Sequence, residues 1–95
     1  MSAYMVYVRD CILDPAEMKI YEDSAPAAST GHLMTPLAFY GSVETLEGPP
    51  VDGAVIIQFP SMEAAQAAYN DPRYQAALQH RLKGARYRVF IVQGL

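Results

Sequence analysis

Ala54-Val-Ile-Ile-Gln-Phe-Pro60, then Ser61-Met-Glu-Ala-Ala-Gln-Ala-Ala-Tyr-Asn-Asp-Pro-Arg-Tyr-Gln-Ala-Ala-Leu-Gln-His-Arg81, then Arg86-Tyr-Arg-Val-Phe-Ile-Val92 decide the architecture. The β-branched and aromatic run from Ala54 to Phe59 predicts a strand. Ser61 is a helix cap, and its helix ends near Tyr69-Asn70. Asp71-Pro72 repeats the cap, with proline suited to the first turn, and opens another helix that Gly84 can terminate. Arg86 to Val92 is the last strand.

Working upstream, Tyr4 to Arg9 predicts a first strand. Asp14-Pro15-Ala16-Glu17 supplies a capping aspartate, a first-turn proline and a glutamate at the capping-box position. The helix runs through Met18 and Tyr21 and is kinked or ended by Pro26, with Thr30-Gly31-His32 as its exit. Pro36 to Gly41 and Val43 to Leu46 predict a second strand bent by a bulge at Gly41-Ser42. Glu47 to Gly53 is an exposed turn. The order is β-α-β-β-α-β with the second helix split, a ferredoxin-like α+β sandwich in one domain spanning residues 1–95.

In the third strand Val55, Ile57 and Phe59 alternate with Ala54, Ile56 and Gln58; in the last, Val89 and Ile91 alternate with Phe90 and Val92. A half-exposed antiparallel sheet shows polar residues on one face, and these strands do not. The chain leaves no segment to cover the second face, so a second copy is expected: a homodimer forming a dimeric α/β barrel.

At 52% hydrophobic and 18% charged residues, the composition exceeds the apolar and falls short of the charged fraction usual for a small domain, in keeping with a buried partner surface. A net charge of -3 argues against nucleic acid, which demands a basic stripe. Arg81, Lys83, Arg86 and Arg88 cluster, but at a helix end and strand entry where cations complement the helix dipole. One cysteine, Cys11, excludes an intrachain disulfide. Met1 to Val8 carries no basic leader, and no apolar run reaches the roughly 18 residues of a membrane span. The expectation is a cytoplasmic, membrane-free protein.

Gln58-Phe-Pro-Ser-Met-Glu-Ala-Ala65, Tyr69-Asn-Asp-Pro-Arg-Tyr-Gln75, Arg81 and the close Val89-Phe-Ile-Val-Gln-Gly94 resemble the domain-of-unknown-function 1330 family. Ala3-Tyr-Met-Val6, Asp14-Pro-Ala-Glu17 and Glu44-Thr-Leu-Glu-Gly48 extend the resemblance over nearly the whole chain. It implies a ferredoxin-like homodimer of the dimeric α/β-barrel superfamily and no established reaction. Members carry a Tyr-Gly-Gly-Arg-like turn and an Arg-Gly-Gly-like segment; here Thr35 and Phe39 stand near the two arginine positions. Any pocket there is expected to be less basic and more apolar than its relatives'.

His32 has the side chain best matched to proton transfer near neutral pH, although a histidine at a helix exit also serves as a structural cap. His80 is expected in solvent. Tyr74, Ala77, Leu78 and Arg81 share a helix face. Arg81 either reaches into a cleft or snorkels to a carboxylate. Tyr7, Tyr40, Tyr69 and Tyr74 are pocket walls or core, with Thr35 and Phe39 beside them. Cys11 has no CxxC partner, two distant histidines make no metal site, and no glycine-rich turn cradles a nucleotide, so no metal, flavin or nucleotide is expected.

Two functions remain. By analogy with barrel relatives that include isomerases, polyketide cyclases and monooxygenases, the chain is a cofactor-independent isomerase, lyase or cyclase. It acts by acid/base chemistry on a small, fairly apolar carbonyl compound. His32 is then the base or acid, Arg81 or Tyr74 stabilises negative charge, and Phe39 and Tyr69 wall the pocket. Alternatively it is a non-catalytic homodimer that binds a metabolite or a protein.

Overall fold

The computed structural model describes residues 1–95. Strands β1 (Ala3–Ile12), β2 (Thr35–Phe39), β3 (Gly53–Phe59) and β4 (Ala85–Gln93) form one sheet in the order β2-β3-β1-β4, with every neighbouring pair antiparallel. Helices α1 (Pro15–Ser24), α2 (Met62–Tyr69) and α3 (Pro72–Gly84) cover one face. This is the ferredoxin-like α+β order, split second helix included.

The helix starts follow from their capping residues. Asp14 accepts from the Ala16 and Glu17 amides, Ser61 from Ala64, and Asp71 from Arg73, each satisfying donors that the first turn leaves open. The predicted capping box at α1 is only half formed. The Asp14 amide donates to the Gly84 carbonyl at 2.9 Å instead, and Glu17 turns across to His80, Oε2 to Nδ1 2.7 Å. His80, expected in solvent, is therefore tied to α1. Beyond Ser24, whose hydroxyl donates to the Ile20 carbonyl at 2.6 Å, the chain tightens into a 3₁₀ turn over Ala25–Ser29. Pro26 ends the α-helix there, since it brings no amide hydrogen.

The second strand is shorter than its sequence suggests. Val43 to Leu46 pairs with nothing, because β3 already has β2 on one side and β1 on the other. The irregularity expected at Gly41-Ser42 lies between Pro36 and Ala38 instead. Proline cannot donate to the ladder, so Leu37 is passed over and the register resumes at Ala38.

The core lies between sheet and helices, where Met5, Met18 and Phe59 are the largest fully buried side chains. On the other face Val6 sits across from Ile56 and from Phe90, and Tyr4 across from Val92. Phe90 and Val92 are 49% and 48% exposed, leaving a continuous apolar strip without a cover.

Gly84 ends α3 through close approach, not a left-handed turn. A β-carbon there would lie 2.9 Å from the Met18 backbone nitrogen and 2.8 Å from its Cγ, and the Gly84 carbonyl accepts from both Leu13 and Asp14. Gly84→Ala is expected to push α1 off α3 and cost about 1–3 kcal/mol, the usual scale of overpacking. A thermal melt unchanged from wild type would contradict this.

Candidate functional site

A cavity of about 910 Å³ opens between the β2–β3 side of the sheet, the 3₁₀ turn and the start of α3. Its walls are mostly apolar: Met5, Val55 and Phe59 from the sheet, and Met34 and Phe39 from the edge strand and the segment entering it. Ionisable groups enter it at few points, principally His32, Glu22 and the phenols.

His32 reaches the cavity from the loop after the 3₁₀ turn, its amide donating to the Ser29 carbonyl at 3.1 Å. Its Nε2 lies 2.9 Å from Asp71 Oδ2, and the two side chains are 20% and 12% exposed. An ionised carboxylate only accepts, so Nε2 carries the hydrogen and Nδ1 is left as the basic nitrogen. Asp71 also binds the Arg73 guanidinium at 2.8 Å. Arg73, then His32, then the Arg73 backbone amide hold the Asp71 carboxyl well below its ordinary range. Arg73 donates in addition to the Ala27 and Thr30 carbonyls at 3.1 and 2.7 Å, pinning the loop that presents His32.

The floor is a group of phenols. Tyr21 and Tyr74 hydroxyls are 2.9 Å apart, and the Tyr74 ring meets Tyr69 at 5.5 Å between centroids. Burial foremost, then the neighbouring Tyr74 hydroxyl, pushes Tyr7 and Tyr21 far above the usual phenol range, so both stay protonated and able to donate. Arg81 lies behind them, 3% exposed. Its Cζ stands 4.7 Å from the Tyr87 ring centroid, 5.7 Å from that of Tyr21 and 5.9 Å from that of Tyr7. Neither sequence expectation for Arg81 describes this: it does not line the cavity and it pairs with no carboxylate. Its three-methylene stem points inward because Tyr74, Ala77, Leu78 and Arg81 occupy the buried face of α3.

Tyr40 closes one side. It has φ +52, unusual for a residue with a side chain, and Gly53 opposite it leaves room: a β-carbon at 53 would be 2.9 Å from Tyr40 Cδ1. The Tyr40 hydroxyl meets that of Tyr87 at 2.6 Å, and the Arg9 guanidinium stacks 4.7 Å from the Tyr40 ring while its Nε binds Asp52 at 2.8 Å. Burial is the main cause of a raised Tyr40 pKa.

The cavity thus gathers His32, Tyr7, Phe39, Tyr40, Tyr69 and Tyr74. Thr35 is not among its walls; it pairs across from Gln58, on the sheet face away from the helices. Three contributors escaped sequence reasoning. Tyr21 carried a usable signal, since it lies three residues after Met18 on the buried stripe of α1. In the sequence Asp71 reads as a cap and Arg73 only as part of the Tyr69–Gln75 motif; nothing local links them to His32, which is 39 residues from Asp71. No group of three or more His, Cys, Asp or Glu side chains is placed to hold a metal ion.

Residues 2–95 match the model of the family described as Domain of unknown function (DUF1330). No match was found among proteins of curated function. Among solved structures, the Rhodopseudomonas palustris protein RPA0582, of unknown function, is 19% identical with a TM-score of 0.74, over 99% of this chain and 82% of that one. A dimeric protein of unknown function and ferredoxin-like fold from Bacteroides fragilis is 8% identical with a TM-score of 0.64, over 98% and 96%. SnoaB, a cofactor-independent oxygenase from Streptomyces nogalater, is 11% identical with a TM-score of 0.58, over 99% and 92%. These likenesses establish the fold.

Asp71→Asn keeps a good helix cap and removes the ion pair. Because the Asp71 pKa is depressed by folding, its contribution is complete above the unfolded value of about 4 and is lost as pH falls below that. Asp71→Asn should therefore melt below wild type at neutral pH, with the gap closing in acid. A gap that stays constant down to the acid limit of folding would contradict the assignment.

Proposed function

The chain belongs to the family Domain of unknown function (DUF1330), whose description names no reaction, and we infer that its site carries out proton-transfer chemistry. We propose that it is a cofactor-independent enzyme moving a proton on a small, fairly apolar carbonyl compound, in an isomerisation, addition/elimination or cyclisation. The observation that carries this is the aspartate-backed imidazole of His32 facing an apolar cavity of about 910 Å³. A dry packed interior at that point would have favoured the non-catalytic binding module.

In this reading His32 Nδ1 removes the proton beside the substrate carbonyl. Asp71, already ionised, holds the ring in the required tautomer and offsets the charge of the imidazolium that forms. Electron density moves onto the carbonyl oxygen, where a phenol from the cavity floor donates a hydrogen bond, Tyr74 being the foremost candidate. The proton returns from His32 to a different carbon, completing an isomerisation without an external reductant or oxidant. Phe39 and Tyr69 flank the substrate and exclude water. Arg81 touches no substrate here; it polarises the phenols from behind. The fold shared with a cofactor-independent oxygenase supports this by analogy alone.

The same proposal includes a homodimer. The strip formed by Val6, Ile56, Phe90 and Val92 is apolar and uncovered, and a Bacteroides fragilis protein of the same fold is described as dimeric. Burial of such a strip is favourable by about 25 cal/mol per Å² before association costs.

Solvent exchange gives the catalytic test without a known substrate. A panel of enolisable ketones and diketones in D₂O, followed by proton NMR, should show protein-dependent loss of the proton beside the carbonyl. His32→Ala should slow it by about 10²-fold or more while melting close to wild type. Exchange that persists in His32→Ala, or is absent with every compound, sinks the enzymatic reading. For assembly, light scattering should return twice the 10.5 kDa chain mass, and Ile56→Lys should yield monomer or unfolded chain, since an unpaired buried charge costs several kcal/mol. A wild-type monomer at micromolar concentration overturns the dimer.

A further inference from the structure

Phenols and one guanidinium meet between the sheet and α3 with no carboxylate among them. Arg81 is 3% exposed, and its Nε has no hydrogen-bond partner. Tyr21 and Tyr74 hydroxyls bond to each other at 2.9 Å. Tyr7 and Arg81 are polar neighbours of the same Tyr74 hydroxyl.

A phenol brings one proton, and a guanidinium brings five N–H groups and accepts nothing. The Tyr21–Tyr74 bond consumes one phenolic proton. Tyr7 and Arg81 compete for the lone pairs of that same Tyr74 oxygen, so among these four side chains three phenolic protons and five N–H groups share only three phenolic oxygens as acceptors. A buried cluster so short of acceptors, with an uncompensated positive charge behind it, attracts a negatively charged oxygen. Tyr7, Tyr21 and Tyr74 all line the cavity, which is where that oxygen can arrive. No lysine or arginine lines it, and apart from Glu22, Ser29 and His32 the remaining wall is aliphatic and aromatic. A phosphate or dicarboxylate has too few partners there; one anionic oxygen on an apolar body has enough.

The geometry points to an oxyanion subsite in which Tyr7, Tyr21 and Tyr74, backed by Arg81, hold the enolate or phenolate oxygen of an otherwise apolar, conjugated ligand. Its catalytic meaning rests on the proton-transfer reading above, and it narrows the substrate class to enolisable or phenolic compounds with a single ionisable oxygen. Binding itself does not require turnover, so the two stand or fall separately.

The probe is 4-nitrophenol, whose phenolate alone is yellow and whose ionisation lies near neutrality. Titrating protein into the probe at a pH just below that ionisation should develop the yellow band, with phenolate bound at least ~10-fold more tightly than phenol, a shift of one pKa unit or more. Tyr21→Phe and Tyr74→Phe should each lose most of this preference, as should Arg81→Met. The two phenylalanine variants keep the test open if Arg81→Met does not fold. His32→Ala should retain the preference even though it slows exchange by about 10²-fold or more. The subsite is overturned if the probe binds as neutral phenol or fails to bind at millimolar protein. It is equally overturned if both phenylalanine variants keep the preference, or if His32→Ala removes it, which would make the imidazolium the anion site.

Discussion

The burial of the Arg81 guanidinium is the constraint around which the helix side of the molecule is organised. Removing a cation from water without a carboxylate is costly, and the structure answers with aromatic faces. Tyr87 from β4, Tyr21 from α1 and Tyr7 from β1 all lie within 6 Å of its Cζ, each such contact being worth about 0.5–2 kcal/mol. Satisfying one charge therefore sets the positions of two strands and α1 against α3. The Tyr40–Tyr87 hydroxyl contact carries the same constraint to the far edge of the sheet.

The cavity inherits its character from that arrangement. Tyr7 and Tyr21, whose rings shield the cation, also line the cavity, so the floor is polar where phenols end. Apart from Glu22 and His32, the side chains around the phenols carry no ionisable group. Phe39 and Thr35 illustrate how little separates these outcomes. Both belong to β2, yet the register places Phe39 across from Val55 on the cavity side and Thr35 across from Gln58 on the other. Phe39 adds an aromatic wall, and Thr35 has no part in it.

Much of the fold was legible because its signals are local. Asp14-Pro15, Ser61 and Asp71-Pro72 announce helix starts through capping geometry that needs only neighbouring residues, and strand alternation exposes two apolar faces. Val43 to Leu46 misled for the complementary reason: its composition suits a strand, but pairing depends on a free neighbour, which topology denies it. Within the site, helix spacing placed Tyr74 and Arg81 on one buried face, yet could not say that the guanidinium would find rings in place of a carboxylate. The link between Asp71 and His32 was hidden because one carboxylate performs two tasks, and the capping role explains its presence completely. Long-range pairing leaves no trace when a local explanation suffices.

Tyr40 and Gly53 hold a further consequence. The ring occupies the space a β-carbon would fill, and the backbone beneath it sits at φ +52, a conformation glycine and asparagine adopt more readily. Substitutions at the two positions are therefore not interchangeable in time. A lineage can shrink residue 40 first and then enlarge residue 53, whereas the reverse order passes through an intermediate with two groups in one place. The order of change at this wall of the cavity is set by sterics: residue 40, and the Arg9 guanidinium 3.1 Å from the same β-carbon position, have to yield before residue 53 can grow.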